Sequence, residues 1–265
     1  MKTRLWNGFL SLFFPVECEA CGKTLSGGRQ AAGLSADALV AGLCAACEAE
    51  VQWLKPPFCQ GCGRSMSYFP PEAPACRTDK DLPLAGERRC SACKNEIFAY
   101  DEAFACAVYD GHIKKVLCHY KFGRHRALKE YLAEMLTRFV RGYLAHRRFD
   151  AVVAVPLDAA KTRQRGFNQS RLLSRKLAAE LRLPDESPAL VRKKSLSDQS
   201  RLSKAARRLN VRGCFHTTAA GRFADKKLLL VDDILTTGET ASECARTLKA
   251  AGAESVTVLA CARGA

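Results

Sequence analysis

The chain has 265 residues, 48% hydrophobic and 26% charged, the balance of a soluble globular protein with room for one ordinary domain and a smaller one. Lysine and arginine outnumber acids 42 to 27, for a net charge of +15. That clustered excess favours a polyanionic partner, nucleic acid or a phosphorylated small ligand, over a basic surface that serves solubility alone. Fourteen cysteines do not make a secreted disulfide scaffold, because the second half of the chain is long and regular; closely paired thiols suit a metal and a reducing cytoplasm.

In chain order, Leu5–Val16 is apolar but interrupted by Asn7, Gly8 and Ser11. It is too short to span a bilayer, and no small-residue cleavage site precedes Cys18. A packed amphipathic helix is expected, with contact to a membrane surface as the alternative, and no transmembrane segment occurs elsewhere. Residues 18–93 hold four Cys-x-x-Cys pairs: Cys18/Cys21, Cys44/Cys47, Cys59/Cys62 and Cys90/Cys93. Gaps of 22 and 27 residues within successive sets predict two closed, structural zinc sites, since a tetrahedral ion accepts a pair of thiolates from each of two knuckles. Gly22, Gly61 and Gly63 fall where such knuckles turn. Metal binding would supply on the order of 10 kcal/mol of folding free energy per site. Sequential pairing of the sets is expected; cross-brace pairing, redox pairs, and Cys76 replacing one ligand are the alternatives. Tyr68–Ala75, with Pro70, Pro71 and Pro74, reads as loop.

From about Ile97 the pattern becomes periodic. Strands are expected at Phe104–Tyr109, Ala151–Pro156, Lys227–Val231 and Ser255–Ala262. Helices are expected at Ile113–Phe122, Leu128–Leu144, Asn168–Leu181 and Thr240–Ala251, the last closed by Gly252. The alternation predicts an α/β fold, a parallel sheet with helices on both faces. The division is residues 1–97, the N-terminal helix and Cys-rich unit, and residues 98–265, the α/β domain.

Lys227-Leu-Leu-Leu-Val-Asp-Asp-Ile-Leu-Thr-Thr-Gly-Glu-Thr240 carries the chemistry. An apolar strand delivers Asp232 and Asp233, and a loop of small and hydroxylated residues then opens a helix. Backbone amides from Thr236 to Thr240, Glu239 included, can cradle a phosphate, helped by the helix dipole. Thr236, Thr237 and Thr240 add hydroxyls, and Gly238 permits close approach. Carboxylates repel phosphate, so Asp232 and Asp233 suit ribose hydroxyls or water-bound Mg²⁺. Phosphate, ribose and divalent metal together describe phosphoribosyl pyrophosphate; a plain helix cap is the bland alternative. Arg165, Asn168 and Gln169 follow a strand end, where open α/β sheets bind ligands, and are assigned to the pyrophosphate side. Arg192, Lys193, Lys194, Arg201, Lys204, Arg207 and Arg208 form a basic stretch that reads as a lid, as a single-stranded DNA contact, or as a solvated face. Lys114, Lys115, Lys121, Arg124, His125 and Arg126 surround Tyr120 and Phe122, aromatics for base stacking or for the core. His112, His119 and His125 lack the spacing of a metal site and read as surface or helix-packing residues.

The Asp-Asp-x-x-Thr-Thr-Gly segment resembles the nucleotide-binding signature of type I phosphoribosyltransferases. Together with Val155-Pro-Leu157, Arg165-Gly-Phe-Asn-Gln169, Gln199, Arg208-Leu-Asn-Val211 and the four cysteine pairs, about residues 15–263 resemble the ComF (competence protein F) family. The resemblance implies a double zinc ribbon before a type I phosphoribosyltransferase-like domain, two structural Zn²⁺ ions, and Mg²⁺ with phosphoribosyl pyrophosphate. It also implies a role in competence, DNA uptake or DNA utilisation, with single-stranded DNA and competence helicase or processing proteins as partners. The alternative is an active, amidophosphoribosyltransferase-like enzyme on a small-molecule acceptor, in which Asp232 and Asp233 stabilise positive charge developing on the ribose. No acceptor pocket is identifiable, and no glutaminase nucleophile is evident, since Cys18 is committed to zinc.

Overall fold

A computed structural model describes residues 16–25, 42–66, 89–122, 125–193, 212–219 and 221–264. The expected N-terminal helix before Val16 and the loop at 68–75 lie outside them. Four strands build the centre: β1 (Glu102–Val108), β2 (Ala151–Ala154), β5 (Lys227–Leu235) and β6 (Ser255–Arg263). They form one all-parallel sheet in the order β1–β6–β5–β2. A separate antiparallel pair joins β3 (Leu190–Arg192) and β4 (Phe215–Thr217). Nearly every side chain of β2 and β6 is buried, which is why these strands read as continuous apolar runs rather than alternating ones.

The helices are α1 (Ala45–Ala49), α2 (Gly111–Phe122), α3 (Leu128–Tyr143), α4 (Ala159–Arg165), α5 (Gln169–Leu181) and α6 (Glu239–Ala250). α3 and α5 pack on one another and against the sheet, while α6 lies against β4, β5 and β6. The buried stripe of α3, including Leu128, Leu132, Leu136 and Val140, has the i, i+4 spacing of a core-facing helix. Among the described residues no helix is long and apolar enough to cross a membrane.

Two differences from the sequence reading bear on the site. β5 continues four residues past the expected Val231, to Leu235. β2 stops at Ala154, opposite Val231, and Val155 N–H makes the last bond across, to the Val231 carbonyl at 2.9 Å. Asp232–Leu235 therefore overhang β2 at the carboxyl end of the sheet, the end at which open α/β sheets place their ligands. The second difference is α4, capped by Asp158, which accepts from Ala160 N–H at 2.8 Å. α4 buries no side chain, so it has no apolar period to detect.

Both sheet edges are covered. Along β1, Ala103 N–H donates to the Gln60 carbonyl at 2.8 Å, Leu54 N–H to the Cys106 carbonyl at 2.9 Å, and Val108 N–H to the Gln52 carbonyl at 2.9 Å. The Cys-rich segment thus lies on that edge, and Leu43, Val51, Leu54 and Phe58 join the main core. Along β2, Val152 exchanges bonds with Pro184 and Glu186. Unpaired strand edges invite wrong partners, and here neither is left open.

Candidate functional site

The two cysteine sets close as expected in sequential order. Cys18, Cys21, Cys44 and Cys47 bring their sulfurs within 4.8 Å of one another, as do Cys59, Cys62, Cys90 and Cys93. Cys21 and Cys44 sulfurs are 3.8 Å apart, and Cys62 and Cys90 sulfurs 3.7 Å. A tetrahedral ion with metal–sulfur bonds of about 2.3 Å needs edges of roughly 3.8 Å, so both quartets fit Zn²⁺. The backbone repeats between them. Gly22 N–H bonds the Cys18 carbonyl and Gly63 N–H the Cys59 carbonyl, both at 2.8 Å, while Cys18 and Cys59 N–H bond Lys23 and Arg64 carbonyls at the same length. Gly22 (φ +72°) and Gly63 (φ +73°) occupy the same left-handed position in each knuckle. At Gly63 a side chain would also collide with the Phe104 backbone, 2.8 Å from the would-be Cβ. With four protein donors each, the quartets are structural.

The acid pair sits on the overhang of β5, beyond the end of β2. Asp232 Oδ1 accepts from Ser170 Oγ of α5 at 2.9 Å and from Asp233 N–H at 2.8 Å. Asp233 Oδ2 pairs with Lys121 Nζ of α2 at 3.0 Å, both side chains being largely buried. Burial, and then the adjacent Asp233 charge, push the Asp232 carboxyl up to about 7, against the pull of Ser170 and Lys121. Lys121, grouped by charge pattern with a basic cluster, thus belongs to the acid site. Past Leu235 the chain turns through Thr236 and Thr237 into Gly238 (φ +82°), which starts α6 and offers no side-chain cap. The start of α6 thus follows directly on the strand that carries the acids, and Glu239 N–H donates to Thr237 Oγ1 at 3.5 Å; the first amides of a helix are the groups that an anion can take.

A strap from the second quartet backs this loop. Tyr100 donates its hydroxyl to the Gly61 carbonyl at 2.6 Å and stacks on Phe98, with centroids 4.8 Å apart and planes at 10°. A Cβ at Gly238 would lie 2.6 Å from that hydroxyl. Ala99 N–H donates to Ser242 Oγ in α6 at 2.9 Å. Burial holds the Tyr100 phenol protonated. Sequence reading missed Tyr100, Ser170 and the Lys121–Asp233 pair, because each contact is made by folding rather than by spacing.

Of the other expected ligand residues, Arg165 reaches Gln169 Oε1 at 3.2 Å and lies 5.0 Å from the Phe122 ring centre. Asn168 caps α5 by accepting from Arg171 N–H at 3.2 Å and donates to the Val155 carbonyl at 3.3 Å. Gln169 is only 1% exposed. Arg201, Lys204, Arg207 and Arg208 lie outside the described residues.

Comparison with known proteins agrees with this geometry. Residues 9–68 match the double zinc ribbon domain model, and residues 165–265 match the phosphoribosyl transferase domain model. The chain joins a double zinc ribbon to a phosphoribosyltransferase domain. The zinc-ribbon match covers the first three cysteine pairs; Cys90 and Cys93 complete the second quartet beyond it. Among curated relatives, competence protein F of Haemophilus influenzae is 26% identical over 226 residues, covering 84% of this chain and 90% of that protein. DNA utilization protein YhgH of Escherichia coli K12 is 28% identical, covering 83% and 96%. Among solved structures, the glutamine phosphoribosylpyrophosphate amidotransferase of B. subtilis aligns at 20% identity with a TM-score of 0.36, covering 50% of this chain and 26% of that one. That superposition is too loose to bear on substrate or partners.

Proposed function

We propose that this protein binds phosphoribosyl pyrophosphate, or a closely related phosphorylated ribose, together with Mg²⁺ at the end of β5. In this reading it acts in DNA uptake or DNA utilisation, in contact with single-stranded DNA. The observation that carries the reading is the run from Asp232 to Gly238, in which an acid pair on a strand overhang leads at once into a helix start whose N-cap is a glycine. The amides of Gly238, Glu239 and Thr240 and the hydroxyls of Thr236, Thr237 and Thr240 take the phosphate. Asp232 and Asp233 take the ribose hydroxyls and water-bound Mg²⁺, a hard cation suited to carboxylate oxygens. Arg165, at the end of α4, flanks the pyrophosphate, with Asn168 and Gln169 holding the turn behind it. Lys121 supplies a positive charge beside Asp233 in the ligand-free protein. The DNA role draws on the printed names of the relatives and on the +15 net charge, with Arg201, Lys204, Arg207 and Arg208 as the contacts.

Ligand-dependent thermal unfolding tests both halves. Phosphoribosyl pyrophosphate with Mg²⁺ at about 100 times its Kd should stabilise the fold by about 2.7 kcal/mol, and the Asp232→Ala/Asp233→Ala chain should lose the shift. Oligonucleotide binding, measured alongside, should weaken with salt at roughly −0.7 per neutralised phosphate, with a flatter slope when the four basic residues become alanine. An unchanged melting shift in the double alanine chain would refute the pocket. Absence of oligonucleotide binding at low salt, with pyrophosphate released in the presence of an amine or base, would instead make the protein an active transferase on a small acceptor.

A further inference from the structure

Within the first knuckle, between Cys18 and Cys21, stands Glu19. Its carboxylate meets two histidines contributed from about a hundred residues away. Oε2 is 2.6 Å from His119 Nδ1 near the end of α2, and Oε1 is 3.2 Å from His125 Nδ1 just before α3. The three donor atoms lie within 4.8 Å of one another. The two rings, 5.8 Å apart and tilted by 57°, are not stacked; both turn the same nitrogen to the one carboxylate.

Among the described residues no lysine or arginine pairs with this carboxylate. The Glu19 side chain is 11% exposed, and among the described residues its ion-pair partners are these two imidazoles alone. The neighbouring Lys115 ammonium goes to the Ala20 carbonyl at 3.3 Å. A largely buried carboxylate flanked by two imidazole nitrogens is a place where a bound cation is favoured. We propose that Glu19, His119 and His125 form a third metal site, for a borderline divalent cation such as Zn²⁺. Two imidazoles and one carboxylate are a donor set that zinc accepts while keeping a position open for water. Mg²⁺ and Ca²⁺, which take oxygen ligands, do not suit it. Bonds of about 2.0–2.2 Å would set the donors roughly 3.4 Å apart, within reach of small side-chain rotations from the present distances. The half-exposed histidines make this an exchangeable site, unlike the two thiolate quartets. Bound there, the ion would clasp the first ribbon to α2, the helix that carries Lys121 to Asp233.

Full-length protein holding two zinc ions and freed of excess metal is titrated with Zn²⁺ at neutral pH by calorimetry, and with Co²⁺ by absorbance. One further equivalent is expected at micromolar concentration, and its Co²⁺ form should lack the strong near-ultraviolet absorption of thiolate ligation. Glu19→Gln and His119→Ala/His125→Ala should each lose this third equivalent while retaining two zinc ions and a cooperative melting transition. Should a variant fail to retain two zinc ions, competition between Zn²⁺ and diethyl pyrocarbonate for His119 and His125 in the unmodified chain gives the same test, protection being expected. No third equivalent in the wild-type chain, uptake unchanged in folded variants, or no protection of the two histidines would each overturn the site.

Discussion

Replacing Asp232 by asparagine should make the ligand-free protein more stable while removing its affinity for phosphoribosyl pyrophosphate. The folded-state carboxyl is pushed up to about 7 by burial and by Asp233, whereas an unfolded aspartate titrates near 3.9. Between about pH 4 and pH 7 the native chain therefore holds a proton that the unfolded chain has lost, so stability falls as pH rises through that window. Above it the ionised group is fully unfavourable, by about three pH units or about 4 kcal/mol. Asp232 is only half-buried, and screening by water reduces this to about 2 kcal/mol. Asparagine retains the oxygen that accepts from Ser170 and from Asp233 N–H and removes the charge. At 2–4 °C per kcal/mol, the variant should melt about 4–8 °C above wild type at pH 8, the gap closing toward pH 4. Thermal unfolding across that range, without ligand and then with Mg²⁺ and phosphoribosyl pyrophosphate, measures both effects. A variant that melts no higher than wild type at pH 8, or a gap that does not change with pH, would refute the reasoning.

Cys18→Ser and Cys59→Ser should each reduce tightly held zinc from two ions to one, by elemental analysis, because each opens one four-thiolate set. Only Cys59→Ser should also diminish the ligand-dependent melting shift, since Gly61 of that quartet holds Tyr100 behind the phosphate loop. Gly238→Ala places a side chain at φ +82°, costing about 1–2 kcal/mol. It also displaces the Tyr100 hydroxyl from Gly61, for about 1 kcal/mol more. Melting should fall by about 5–10 °C, and adding Tyr100→Phe should restore part of the loss.

The pattern of the chain announced the sheet because Ala151–Ala154 and Lys227–Val231 are uninterrupted apolar runs, and parallel strands buried on both faces must be. It announced the zinc sites because Cys-x-x-Cys constrains both thiols locally. The continuation of β5 through Asp232–Leu235 was hidden, since two charges end the apolar run although the backbone ladder to β6 persists to Leu235 and Arg263. Asn168 carried two meanings at once: an asparagine at a helix start caps the helix as readily as it meets a ligand. Lys121 was read by its basic neighbours, yet its partner stands far along the chain in β5. Such contacts have no local signature.

The ribbon's seat on β1 has a consequence for the order in which the protein is assembled during synthesis. Gln52, Leu54 and Gln60, the partners on one side of β1, are made shortly before the strand itself. Its partner on the other side, β6, is the last strand among the described residues. A nascent β1 would otherwise wait through the synthesis of nearly the whole domain with both edges bare, the state from which non-native pairing and aggregation begin. A ribbon already folded around its metal gives β1 a native partner at once, so zinc supply at the ribosome bears on the yield of the domain as well as on the stability of the finished protein.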